Sequence, residues 1–137
     1  MKILEGGMVM EVLKFKNGPK AVGPYSSAVK SGNLVFFSGI LPIIPETGEL
    51  ILDSIEQATE QILKNLEVML SELGLSLKNV VKTTIFTTRL EEFGKINEVY
   101  QKYFERVTES FPARSTVGVA SLPKGALVEM EFVVEVE

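Results

Sequence analysis

The sequence predicts an α+β fold, a sandwich in which two helices pack on one face of a mainly antiparallel sheet. Two observations support this fold class: short segments of β-branched or alternating apolar residues, and two longer segments in which apolar residues recur at helical spacing. They follow one another as two strands, a helix, a strand, a helix and two strands, an order typical of the α+β class. Because the helices would cover only one sheet face, we expect the chain to associate with copies of itself through the other.

The first two predicted strands are short. Residues 12–15 form a small piece of alternating apolar residues and predict an edge strand, whereas residues 34–37 form a continuous apolar run typical of a buried strand. The second strand runs into Ser38 and Gly39. It is followed by a turn-rich loop at residues 42–48, which leads towards the first helix.

Two helices are predicted from capping signals and apolar spacing. The first begins after Ser54, which together with Gln57 forms a capping box, and Asp53 is an alternative cap; Gly74 is suited to end it. The second covers about residues 90–107, and Gly94 interrupts its first turn. The apolar residues that recur at helical spacing are Ile55, Ala58, Ile62, Leu66, Met69, Leu70 and Leu73 in the first helix, and Phe93, Ile96, Tyr100, Phe104 and Val107 in the second.

Three further strands complete the pattern, at residues 80–88, 115–120 and 127–136. The last of them alternates clearly, with apolar side chains on one face and mainly glutamates on the other. Glu129 and Glu131 both belong to the acidic face. Periodicity therefore does not distinguish between these two carboxylates.

Length and charge restrict the class of protein. With 137 residues the chain is expected to form one domain over 1–137, in which residues 1–11 form a possible loose extension because Met8 and Met10 are alternative starts. The 14 basic and 18 acidic residues give a net charge of −4 without a basic cluster, so a nucleic-acid partner is not expected. No apolar run is long enough to cross a membrane and no signal peptide is present, which predicts a cytoplasmic protein without a membrane partner.

The chain contains no cysteine and no histidine. Disulfides, thiolate metal sites and a cysteine nucleophile are therefore excluded, together with the commonest general base and the commonest metal ligand. We expect no metal site. Any catalysis must use carboxylates, hydroxyls, Lys, Arg, backbone groups and water.

One arginine stands out because it lies in an otherwise apolar segment. Arg114 lies within the segment of residues 112–120. A turn follows at residues 122–126, and Glu129 lies in the last strand. If the two flanking segments are strands joined through that turn, Arg114 and Glu129 can lie near each other. A guanidinium beside a carboxylate suits a small anionic substrate; the alternative is a structural ion pair or two solvated charges.

Several short motifs occur in an order that resembles the reactive-intermediate deaminases, the RidA/YjgF family. The resemblance runs from about residue 12 to residue 136 without large gaps. The matching pieces are AVGPYS at 21–26, VFFSG at 35–39, PETG at 45–48, QILKNL at 61–66, Phe93 with Asn97 and Tyr100, PARS at 112–115, LPKGA at 122–126, and Val128 with Glu129.

This resemblance implies a chorismate-mutase-like fold assembled as a homotrimer, with active sites in clefts between subunits. It also implies cofactor-free hydrolysis of reactive 2-imino and enamine acids, such as 2-iminobutanoate and 2-iminopropanoate, to 2-oxo acids and ammonia. Arg114 would bind the substrate carboxylate, and Glu129 would activate water and protonate the leaving nitrogen. The remaining substrate-binding residues implied by the resemblance are Tyr25, Ser38, Gly39, Asn97, Ser115 and Thr116. The backbone around Ser38, Gly39 and Thr116 would position substrate and water, and Tyr25 and Asn97 would line or shape the pocket.

Three departures from the family pattern and several alternative roles stay open. Ile40 and Ala58 stand where many members have Gln, and Thr116 stands where many have Cys. A non-enzymatic protein that binds or senses 2-oxo acids in the same cleft is an alternative, whereas a nuclease or translation inhibitor fits an acidic, histidine-free chain poorly. Simple structural roles as a packed aromatic, a buried hydroxyl and a helix amide are the alternatives for Tyr25, Ser38 and Asn97.

Overall fold

The computed structural model describes residues 2–3 and 9–136. Seven strands and two α-helices in these described residues confirm the predicted α+β class. The elements are β1 Lys2–Ile3, β2 Val9–Leu13, β3 Ala28–Ser31, β4 Leu34–Ile40, α1 Ile55–Glu72, β5 Val80–Thr87, α2 Phe93–Glu105, β6 Ala113–Gly118 and β7 Val128–Glu135.

The strands form one sheet in the order β1-β2-β3-β4-β7-β5-β6. All neighbouring pairs are antiparallel except β5 and β6, which run parallel. The last strand of the chain, β7, therefore lies in the interior of the sheet between β4 and β5. This position explains its fully apolar inner face, because a central strand packs against the helices along its whole length.

The helices cover one face of this sheet and enclose the core with it. Ser54 caps α1 as predicted, since its hydroxyl accepts a hydrogen bond from the backbone N–H of Gln57 at 3.1 Å. Gly74 follows the helix with a left-handed φ of 74°, as predicted for the C-terminal cap. The side chains that β7 contributes to the core are fully buried, and they are Val128, Met130, Phe132 and Val134.

The opposite side of the sheet, which we call the open face, carries apolar side chains that no described helix covers. Phe36 lies opposite Val133, and Phe86 lies opposite Val117. Phe36 and Val117 are each 42% exposed. An apolar sheet face of this kind is suited to a protein–protein contact.

Several element boundaries differ from the sequence prediction. Strand β2 covers 9–13 and not the predicted 12–15, and the second helix begins at Phe93 because residues 90–92 form a separate 3₁₀ turn. Strand β3 was not predicted, because its four residues are too short to show periodicity. A glycine with φ of 62° at position 32 joins β3 to β4 in a hairpin.

The possible loose extension over residues 1–11 falls partly outside the described residues, which omit 1 and 4–8. Of the remainder, 2–3 form β1 and pair with β2. Among the described residues, no helix is both long enough and apolar enough to span a bilayer.

Candidate active site

Glu129 lies on the open face because its neighbours Val128 and Met130 point into the core. It packs directly against Gly39, in the stretch of β4 where the pairing with β7 becomes irregular. A Cβ atom added at Gly39 would lie only 2.8 Å from the Cδ atom of Glu129. Glycine is therefore required at this position for the carboxylate to occupy its place against the backbone.

A cleft of about 450 Å³ surrounds this carboxylate, and we call it the Glu129 cleft. Burial, and secondarily the negative charge of Glu131, raises the pKa of Glu129 above its usual value. A carboxyl whose pKa moves towards neutrality is better suited to exchange protons with a substrate. The lining residues are Pro19, Lys20, Val22, Tyr25, Ser38, Gly39, Leu41, Ile43, Pro123, Lys124 and Glu129.

The loop that carries Tyr25 is tied to β4 by Ser38. The Ser38 hydroxyl donates to the Ser26 carbonyl at 2.6 Å, and its backbone N–H donates to the Ser27 carbonyl at 2.9 Å. Tyr25 itself is 51% exposed at the edge of the cleft, and its hydroxyl accepts from the Val22 N–H at 3.4 Å. Ser38 thus has a clear structural use, whereas Tyr25 is open to a ligand.

Arg114 lies on the helix side of β6, where α2 fixes its guanidinium. Its Nη2 atom donates to Oδ1 of Asn97 at 2.7 Å, and its Cζ atom lies 4.9 Å from the ring centre of Tyr100 and 5.5 Å from that of Phe93. Among the described side chains, Arg114 makes no ion pair with a carboxylate. Its charge is therefore held in place and remains available to an incoming anion.

A second cleft, of about 390 Å³, opens beside this guanidinium, and we call it the Arg114 cleft. Asn97 lines this cleft and at the same time orients Arg114. The lining residues are Asn97, Tyr100, Gln101, Phe111, Pro112 and Arg114.

The two residues after Arg114 point in different directions, as strand geometry requires. Ser115 lies on the open face, where its hydroxyl accepts from Nζ of Lys82 at 3.2 Å. Thr116 lies opposite Ile85, on the same side of the sheet as Arg114. Only Thr116 therefore shares the side of the guanidinium.

Arg114 and Glu129 do not come together within one chain. In the sheet, β5 lies between β6 and β7, and it pairs with Arg114 at Thr83 but with Glu129 at Phe86. This offset separates the two Cα atoms by about 14 Å, from about 10 Å along the strands and about 10 Å across them. Positions 83 and 86 also face opposite sides of the sheet, so the proximity expected from a simple hairpin is not found, and each chain presents two separate clefts.

Two of the three departures from the family pattern, Ile40 and Ala58, lie in the core. Ile40 is buried opposite Met130, and it does not line the Glu129 cleft. Ala58 is fully buried on α1. A residue that sequence reasoning did not single out is Lys124, which lines the Glu129 cleft with a left-handed φ of 58°. Nothing in the local sequence signals that conformation.

The fold and the two clefts define a small α+β protein with a fixed arginine and a partly buried glutamate. Comparison with known proteins gives the family. A family model described as Endoribonuclease L-PSP matches residues 15–136, and the chain belongs to this family, also named RidA/YjgF.

Three relatives illustrate the match. The chloroplastic Reactive Intermediate Deaminase A of Arabidopsis thaliana is 47% identical over 123 residues, which cover 90% of this chain and 64% of that protein. The crystal structure of the E. coli YjgF gene product is 35% identical with a TM-score of 0.87, and covers 93% of this chain and 99% of its own. The structure of E. coli TdcF with bound serine is 35% identical with a TM-score of 0.85, and the coverages are 91% and 98%.

Proposed function

We propose that this protein hydrolyses reactive 2-imino and enamine acids, such as 2-iminobutanoate and 2-iminopropanoate, to 2-oxo acids and ammonia. The observation that carries the proposal is the Arg114 guanidinium, which is held by Asn97 and two aromatic rings but has no carboxylate partner among the described side chains. Such a group suits the carboxylate that all these substrates share. The relative named Reactive Intermediate Deaminase A supports the same reaction class.

We further propose that the active protein is a homotrimer whose sites lie between subunits. Arg114 and Glu129 face opposite sides of one sheet, so they can act on one small substrate only if they come from two copies. Contacts between two different surface patches of the same chain form a closed ring when the rotation between copies closes. The exposed apolar side chains of the open face, such as Phe36, supply the contact area.

In the proposed reaction, Arg114 binds the substrate carboxylate through paired hydrogen bonds and fixes the imine carbon near Glu129 of the next copy. Glu129 accepts a proton from a water molecule as the water oxygen attacks that carbon. Glu129 passes this proton to the nitrogen, which gives a neutral carbinolamine. It then carries the carbinolamine hydroxyl proton to the same nitrogen as the C–N bond breaks, the C=O bond of the 2-oxo acid forms and ammonia leaves. An enamine enters the same sequence after protonation at carbon gives the imine.

The test is ammonia release from freshly generated 2-iminobutanoate. Arg114→Ala removes the group that binds the substrate carboxylate, and Glu129→Gln removes the proton carrier. With either variant, ammonia release is expected to be no faster than in buffer alone. Arg89→Ala is the matched control, because Arg89 forms an ion pair with Glu92 at the surface and lines neither of the two clefts. An unchanged rate in Arg114→Ala would refute the proposal.

A second candidate is a non-enzymatic protein that binds 2-oxo or amino acids at the same place. The relative solved with bound serine favours binding of an amino acid in this family. This candidate predicts that 2-oxobutanoate binds in calorimetry and that Arg114→Ala abolishes the binding, while ammonia release stays at the buffer rate. Ammonia release above the buffer rate by the wild type would exclude it.

A further inference from the structure

Tyr100 connects the Arg114 guanidinium to the buried interior of the sheet. Its ring faces Arg114 at 4.9 Å, while its hydroxyl donates to Oγ1 of Thr83 at 2.8 Å. Tyr100 is 4% exposed and Thr83 is fully buried. Thr83 is also the residue directly opposite Arg114 in the β5–β6 register. Arg114, Tyr100 and Thr83 therefore each lie next to the other two.

We infer that Tyr100 and Thr83 are positioning residues, which hold the Arg114 guanidinium in the orientation that receives a substrate carboxylate. This inference rests on the proposed function, in which Arg114 binds that carboxylate. It assigns to the Tyr100–Thr83 hydrogen bond an effect on substrate affinity and not on the chemical step, which belongs to Glu129.

The geometry explains why the ring needs a fixed angle. An arginine side chain has many rotamers, and ordering them on binding costs affinity unless they are ordered beforehand. The attraction between a guanidinium and an aromatic ring depends on the cation lying over the ring face. The Tyr100 ring stacks on Phe104 with centroids 4.4 Å apart, and the bond to Thr83 anchors its far end. The ring therefore has little freedom to tilt away from Arg114.

The hydroxyl is also chemically constant over the range in which such a protein is assayed. Burial raises the pKa of Tyr100 above its usual value, although the bond to Thr83 and the charge of Arg114 oppose this. The phenol therefore stays protonated and continues to donate to Thr83.

The test compares Tyr100→Phe and Thr83→Val with the wild type. Both variants keep the packing volume and remove the hydrogen bond. We expect the KM for 2-iminobutanoate and the calorimetric Kd of 2-oxobutanoate to rise about 3- to 10-fold, the range of one lost hydrogen bond, while kcat stays within about 2-fold. The double variant is expected to match the single ones, because both remove the same bond.

The matched control is Tyr103→Phe, three residues along the same helix. The Tyr103 hydroxyl also makes one side-chain hydrogen bond, to Glu60 at 3.3 Å on α1, but its ring contacts Arg106 and not Arg114. This variant is expected to keep the wild-type KM and Kd. Thr83→Ser retains the acceptor hydroxyl and is expected to keep them as well. If Thr83→Val fails to fold, Tyr100→Phe alone tests the loss of the bond.

Each outcome decides the inference. Unchanged KM and Kd in folded Tyr100→Phe would overturn it, as would a fall in kcat at constant KM, which would place Tyr100 in the chemical step. If the wild type binds 2-oxobutanoate but releases no ammonia, the proposed enzyme activity fails while the Kd comparison still tests the positioning role. Absence of any binding by the wild type would overturn both.

Discussion

Replacing Gly39 with alanine is expected to displace the Glu129 carboxylate and to remove most of the activity while the fold persists. The added Cβ atom would lie 2.8 Å from Cδ and 3.1 Å from Cγ of Glu129. Ordinary contacts begin at 3.4 Å, so the Cδ atom would have to move by at least about 0.6 Å. The half-buried Glu129 side chain can move towards the cleft. The loss in free energy of unfolding should therefore be smaller than for an overpacked core, where it is about 1–3 kcal/mol.

The effect on catalysis follows from that displacement. A misplacement of about 1 Å in a reacting group costs about 100-fold in rate, and complete loss of acid–base catalysis costs about 100- to 10,000-fold. We therefore expect Gly39→Ala to lower kcat/KM for 2-iminobutanoate by about 100-fold or more. Initial rates of ammonia release, together with thermal unfolding of the same preparation, measure the two effects separately.

Gly94→Ala is the matched control for this experiment. Gly94 lies in α2, and a Cβ atom added there meets no heavy atom within 4 Å. Alanine at this helical position should stabilise the protein by about 1 kcal/mol without changing the rate. Full activity of Gly39→Ala would refute the argument that the glycine makes room for Glu129, and so would a loss of activity accompanied by unfolding.

Three further results are expected. Glu129→Gln should be more stable than the wild type at pH 7 but equally stable below pH 4.5. The pKa of Glu129 is raised, so its ionisation destabilises the folded wild type as the pH rises through that pKa. Urea unfolding at both pH values checks this, and an equal difference in stability at both would contradict it. Phe36→Asp should give monomers in light scattering and no activity in the ammonia assay. Val68→Asp is the control: Val68 is 40% exposed on α1, and its substitution should leave the assembly intact. A fully assembled Phe36→Asp variant would show that the open face is not the contact between copies. Glu72→Gln should speed amide hydrogen exchange at residues 16 and 17, because their N–H groups donate to the Glu72 carboxylate at 2.9 Å. Unchanged exchange would show that these two hydrogen bonds do not restrain the loop before Tyr25.

Local sequence patterns predicted the elements better than their arrangement. The alternation of β7 correctly gave its buried face, and Ser54 correctly marked the start of α1. The insertion of β5 between β6 and β7 was not predictable, because strand order depends on long-range pairing and not on local periodicity. That order is what separates Arg114 from Glu129 in one chain.

The site shows the same division. Periodicity placed Glu129 and Glu131 on one polar face and could not choose between them. The structure distinguishes them, since Gly39 makes room for Glu129 in a cleft and Glu131 remains exposed. The aromatic support of Arg114 by Tyr100 also depends on the packing of α2 against β6, and the sequence marked Tyr100 only as part of the apolar stripe and of a family motif.

The position of Arg114 and Glu129 on opposite faces of the sheet has a consequence for mixtures of chains. If one site takes Arg114 from one copy and Glu129 from another, a chain that lacks only the arginine and a chain that lacks only the glutamate are each inactive but complementary. Assembled together in equal amounts, they would restore about a quarter of the sites by random pairing around a closed ring. Activity would then belong to the assembly, and no single folded chain would possess it.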